Sequence, residues 1–204
     1  MKSLFLSFTL LFCSFQLEAA KPSVPVKVVV LGDSLTEGYG LDKDQAFPAL
    51  VEKKFLDRGK KVEVINAGVS GSTSAGGLSR VAWVMKSKPQ FVVVALGSND
   101  GLRGLDVSAC KKNIKEIIQR VRADGATPLL IGMKVPPNYG VEYTKKFENI
   151  FLELSAEEKV PLLPFLLLGV AGQPKYNLPD AIHPNKEGHK ILAETVYQFL
   201  EKNI

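Results

Sequence analysis

Unbroken apolar runs alternate with segments whose apolar residues return every three or four positions. VKVVVLG at 26–32 is apolar almost throughout and stops at glycine, the pattern of a strand buried on both faces. KVEVINAG at 61–68, FVVVALG at 91–97 and TPLLIGM at 127–133 read as further strands, and VPLLPF at 160–165 as a short fifth. Helical patterns lie between them. FPALVEKKFLDRG (47–59) ends on Gly59, and SAGGLSRVAWVMKSKP (74–89) ends on Pro89 with Gly76 and Gly77 weakening its first turn. A third helix places Val107, Cys110, Ile114, Ile117, Ile118 and Val121 on one face and stops at Gly125. A fourth covers roughly 142–158, and a last one starts at Pro184 and buries Ile191, Leu192, Val196 and Leu200. Strict alternation of strand and helix predicts an α/β domain, with a parallel sheet covered on both faces through right-handed crossovers. Ligands of such sheets sit beyond the carboxyl ends of the strands, so the residues after each strand are where chemistry is expected.

The first twenty residues break the alternation. Lys2 precedes SLFLSFTLLFCSFQL, too short for a comfortable membrane span, and LEAAK then offers small residues for cleavage. This reads as a secretory signal peptide over 1–20, cut after Ala19 or Ala20, with one domain over 21–204 in the periplasm or outside the cell. An uncleaved anchor helix is the alternative. A lipid anchor on Cys13 is disfavoured by bulky Phe12 before it. Without the leader, Cys110 is the only cysteine, which reads as a core thiol and excludes an internal disulfide.

The chain has 204 residues, 46% hydrophobic, enough for one full core. Its net charge of +5 is dispersed: lysine pairs at 53–54, 60–61, 111–112 and 145–146 never lengthen, and acidic residues accompany most of them. They read as solvated helix faces, so no nucleic-acid partner is expected. The only histidines are His183 and His189 and H-E-x-x-H is absent, so no metal site is expected. Neither a G-x-x-x-x-G-K-[ST] loop nor G-x-G-x-x-G follows a strand, and there is no G-x-S-x-G elbow.

After the first strand comes GDSLTEGYG (32–40). Ser34 and Glu37 have capping-box spacing, so Ser34 reads either as a helix cap or as a nucleophile. After the second comes NAGVSGSTS with Gly71, after the third GSND with Asn99, and before the last helix DAIHP with Asp180 and His183. Acyl transfer needs such a set. A serine hydroxyl needs a base, histidine is the usual one, and an acid three residues before it can fix its tautomer. The developing oxyanion needs donors, for which the Ser34 and Gly71 N–H groups and the Asn99 amide are candidates. Pro184 suits the first helical position and would hold His183 at a rigid entry. Taken singly, Gly71 reads as a turn glycine, Asn99 as a turn or cap residue, and Asp180 and His183 as surface groups. The single readings do not explain why all occur in order after successive strands.

GDSLTEGYG, NAGVSGSTS, GSNDGLRG and DAIHPN, in that order, resemble the four blocks of the GDSL or SGNH hydrolases. PPNYG (136–140) and VPLLPF bring the chain closer to the bacterial thioesterase, lysophospholipase and arylesterase branch. The resemblance implies a flavodoxin-like three-layer α/β/α sandwich with five parallel strands in the order 2-1-3-4-5. It also implies Ser34 as nucleophile, His183 as base, Asp180 as its orienter, Ser34, Gly71 and Asn99 as oxyanion donors, and no cofactor. Relatives often carry a second glycine where this chain has Ser98, and aspartate where it has Ser72. The expected substrate is a small acyl ester or thioester, cleaved by a monomer with at most transient lipid contact. Apolar residues in the loops at 101–105 and 134–143 favour a longer acyl chain, with Leu102, Leu105, Pro136 and Tyr139 as candidate contacts. A carbohydrate acetylesterase and a flavodoxin-like binding module are the competing readings.

Overall fold

The structure, a computed structural model, describes residues 24–204; the expected leader lies outside them. The strands are β1 (Val26–Gly32), β2 (Val62–Gly68), β3 (Phe91–Ala95), β4 (Thr127–Ile131) and β5 (Leu162–Leu163). All pair in parallel, in the order β2-β1-β3-β4-β5 that the resemblance implied. The helices are α1 (Ser34–Glu37), α2 (Phe47–Leu56), α3 (Ser74–Met85), α4 (Ser98–Leu102), α5 (Val107–Ala123), α6 (Val141–Glu158) and α7 (Lys186–Glu201). The strand order steps one way from β1 to β2 and the other way from β3 onward. Right-handed crossovers therefore put α2 on one face and α3, α5 and α6 on the other. α7 returns to pack on α2. Among the described residues, no helix is long and apolar enough to cross a membrane.

Central strands are buried from both sides: Val28 to Leu31, Val92 to Ala95 and Leu129 to Ile131 are all within 1% of full burial. β2, at one edge, alternates buried and half-exposed residues instead. Two of its outward N–H groups find side-chain partners close by. Glu52 of α2 accepts from Val64 N–H at 2.6 Å, and Asn66 Oδ1 accepts from Gly68 N–H at 2.9 Å.

Gly77 also has a packing reason: a Cβ there would stand 2.1 Å from Leu96 Cδ1, so glycine lets the helix approach the end of β3. Two expectations are corrected. α7 starts at Lys186, not Pro184. Asn185 is its cap and accepts from Glu187 and Gly188 N–H, while Pro184 forms an isolated bridge with Asn177. Ile191 is only partly buried, and Tyr197 and Ala193 take the core positions beside Leu192, Val196 and Leu200.

His189 ties the two helices of the first face together. It is 1% exposed, and its Nδ1 accepts from Phe47 N–H at 3.0 Å, at the first turn of α2. Burial, and then the charge of His183, lower its pKa from 6.5 to about 4. A histidine lowered in the folded state lets the unfolded chain bind the proton first. Its stabilising contribution is therefore whole above the unfolded value and lost as pH falls from about 6.5 to about 4. His189→Gln keeps an acceptor without the titration. The difference in unfolding free energy between wild type and this variant should shift against wild type by on the order of 3 kcal/mol across that window. Denaturant melts at several pH values check this, since the difference cancels every other titrating group.

Candidate active site

Ser34 sits where β1 gives way to α1. The preceding Asp33 is the helix cap: its Oδ1 accepts from Leu35 N–H at 3.0 Å. The Ser34–Glu37 capping box is thus not formed. Glu37 turns outward instead and accepts from Ser70 N–H at 2.7 Å and from the Ser70 hydroxyl, pinning the loop after β2. Ser34 is left as the first helical residue, 9% exposed, with Oγ 2.9 Å from His183 Nε2.

His183 is held by a closed turn rather than by a helix start. Asp180 Oδ1 accepts from Ile182 N–H at 2.9 Å and His183 N–H at 3.0 Å, and Leu178 N–H donates to His183 O at 2.7 Å. Asp180 Oδ2 lies 2.7 Å from His183 Nδ1. The backbone N–H of His183, followed by its ring, holds the Asp180 carboxyl down at about 2. An ionised carboxylate only accepts, so Nδ1 must carry the proton that lies between them. Nε2 then presents its lone pair to the Ser34 hydroxyl, as a base would. The Tyr39 ring, two residues past α1, lies 4.4 Å from the imidazole at 34°.

Gly71 has φ +76, a left-handed turn that a side chain rarely adopts. Arg103 donates to its carbonyl oxygen at 3.0 Å, while its N–H has no partner among the described residues. Asn99 does not cap α4, whose cap is Gly97. Its amide donates one proton to Ser72 O at 3.1 Å and keeps the other. The geometry brings Ser34, His183 and Asp180 into direct contact, and the loops of Gly71 and Asn99 to each other. The four candidate acyl contacts lie on two loops that hydrogen bonds join: Tyr139 Oη donates to Leu102 O at 2.7 Å, and Tyr143 Oη to Leu105 O at 3.0 Å. Leu102 and Tyr139 are half-buried there, and Leu105 and Pro136 exposed.

Sequence reasoning missed the residues that fix these loops. Asp100, buried beside Asn99, accepts from Ser74 N–H at 2.7 Å and Ser74 Oγ at 2.6 Å. Arg80 donates to Gly32 O and to Ala67 O, each at 2.6 Å. The available signal was an acid directly after a strand-end Asn and an arginine inside an otherwise apolar helix face. Among the described residues, no three His, Cys, Asp or Glu side chains are grouped as a metal would need.

The order of these groups on the sheet has counterparts in known proteins. A family model described as the GDSL-like lipase/acylhydrolase family matches residues 30–191. This chain belongs to that family. It is an acyl hydrolase of the serine esterase type, cleaving carboxylic esters or thioesters. It is 39% identical to the esterase TesA of Pseudomonas aeruginosa over 98% of both chains. It is 38% identical to thioesterase 1/protease 1/lysophospholipase L1 of Escherichia coli strain K12, over 85% of this chain and 83% of that one. The solved structure of the psychrotrophic esterase EstA from Pseudoalteromonas sp., inhibited by monoethylphosphonate, superposes with a TM-score of 0.84 at 31% identity, covering 87% of this chain and 97% of that one.

Proposed function

We propose that Ser34 is the nucleophile, His183 the general base and Asp180 its orienter, with Ser34 N–H, Gly71 N–H and the Asn99 amide receiving the oxyanion. The observation that carries the reading is the unbroken relay from Ser34 Oγ through the imidazole to Asp180, at 2.9 and 2.7 Å. The hydroxyl proton passes to Nε2 as Oγ bonds to the acyl carbon, and the carbonyl electron pair moves onto oxygen. The imidazolium then protonates the departing alkoxide or thiolate. A water activated by the same imidazole releases the acyl group from Ser34.

An organophosphonate should label Ser34, and Ser34→Ala should fold yet lose about 10⁴-fold or more in kcat. Asn99→Ala should lower kcat by about 10²–10³ with KM little changed, because its contact forms in the transition state. Wild-type turnover in the serine variant would remove the nucleophile assignment. A lower melting temperature with unchanged kcat in the Asn99 variant would make that residue purely structural.

The acyl group runs toward Leu102, Leu105, Pro136 and Tyr139. The joined loops after β3 and β4 support this, since two tyrosine hydroxyls hold those leucine backbones in place. A series of p-nitrophenyl esters from acetate to dodecanoate should show kcat/KM rising with chain length, each buried methylene adding at most about 0.8 kcal/mol. A maximum at acetate would favour the carbohydrate acetylesterase reading.

The enzyme works outside the cytoplasm as a monomer, after loss of residues 1–20, and touches lipid only transiently. A leader-like apolar run before the small residues at 19–20 supports the export. Native mass spectrometry of the exported protein should find a single chain lacking those residues. A full-length species held in the membrane, or a stable dimer, would contradict the respective half of the statement.

A further inference from the structure

Four buried side-chain atoms among the described residues lack a hydrogen-bond partner: Asp33 Oδ2, Thr36 Oγ1, Ser98 Oγ and Arg80 Nε. They gather at one place, the carboxyl end of β1. Asp33 precedes Ser34. Thr36 packs on Gly32, where a Cβ would come within 1.9 Å of its Oγ1. Arg80 donates to the Gly32 carbonyl. The Ser98 hydroxyl stands against Asp33 without reaching hydrogen-bond geometry, and still favours the ionised carboxyl. Unsatisfied polar atoms are rare in native interiors, and four around one turn call for a reason.

Asp33 is the centre of the group. It is fully buried, one oxygen caps α1, and the other has no formed partner. Burial raises its carboxyl to about 6, while Leu35 N–H, Ser98 and the charge of His183 pull it back. Arg80 from α3 and His183 from the loop before α7 are the charged or titratable groups set against it, and α4 presents Ser98. Burying a carboxylate is costly unless it is paired and hydrogen-bonded, and one oxygen of this one has no formed partner.

The reaction supplies one. When the Ser34 proton moves to Nε2, an imidazolium appears. Asp180 balances it, but its side chain is 37% exposed and water screens it. Asp33 has no such screening. We propose that Asp33 is a positioning residue acting through His183, a second and buried counter-charge to the imidazolium. This rests on the assignment of Ser34 and His183 above. A cap role alone would be served equally by asparagine.

The test compares wild type with Asp33→Asn, which keeps the cap acceptor and removes the charge. At neutral pH kcat and the rate of organophosphonate labelling should both fall about ten- to hundredfold, the scale of one charge acting on another inside a protein, with KM unchanged. The ratio of wild-type to variant kcat should shrink toward one as the pH is lowered and the wild-type carboxyl protonates. A ratio of one at every pH, or a large ratio independent of pH, overturns the proposal, the second by assigning the loss to packing. Should Asp33→Asn fail to fold by thermal melt, Asp33→Ser keeps a cap oxygen without the charge and is read by the same ratio. If wild-type Ser34 takes no phosphonate, the assignment beneath the proposal fails instead.

Discussion

Every parallel strand ends in carbonyl groups that need donors once the chain turns away. At the ends of β1 and β2 the guanidinium of Arg80 supplies them, reaching Gly32 O and Ala67 O together. One planar cation bridges the two neighbouring strands from which the Ser34 turn and the Gly71 loop depart. The spacing of those two loops is therefore set by a rigid fork, supported by Val69 N–H on Gly32 O and by the Glu37–Ser70 bonds. A lysine could neutralise one carbonyl but could not span both in a plane.

Beyond that fork, each loop at the rim is fixed by a side chain gripping backbone. Glu37 takes Ser70 N–H, Asp100 takes Ser74 N–H, the Asn99 amide takes Ser72 O, and Tyr139 takes Leu102 O. These bonds cross between loops, so no loop carries its functional atom alone. The Gly71 peptide shows the result. Arg103 holds its carbonyl, Val69 O takes the N–H of the following Ser72, and the Gly71 N–H is left without a partner among the described residues. A donor whose loop is held on both sides in this way would need little reorganisation in the proposed oxyanion role, which is where preorganised sites gain most.

The strands were legible because burial on both faces demands continuous apolar runs, and β1, β3 and β4 carry them. The candidate triad and donors were legible because chemistry restricts residue types more than packing does. The order of the strands came from resemblance; no periodicity encodes it. What failed was local grammar with two valid readings. Ser34 and Glu37 had capping-box spacing, yet Asp33 capped the helix, because Glu37 was drawn to Ser70 in another loop. Pro184 looked like a helix start, yet Asn185 satisfied two orphan N–H groups and won. Arg80, Asp100 and Glu37 stayed hidden because their partners lie 13 to 48 residues away. Tyr39 stayed hidden because its stack on His183 exists only after folding.

The exposed edge of β2 has a further consequence. A parallel sheet that stops at an open strand offers its outward amides to any extended peptide, and a neighbouring molecule can add itself as the next strand. Here three outward amides are occupied: Val62 N–H by Lys60 O, Val64 N–H by the Glu52 carboxylate and Gly68 N–H by the Asn66 side chain. At the opposite edge β5 offers only Leu162 and Leu163. An incoming strand thus finds only an interrupted ladder at β2 and almost no length at β5, so both flanks of the sheet disfavour strand addition.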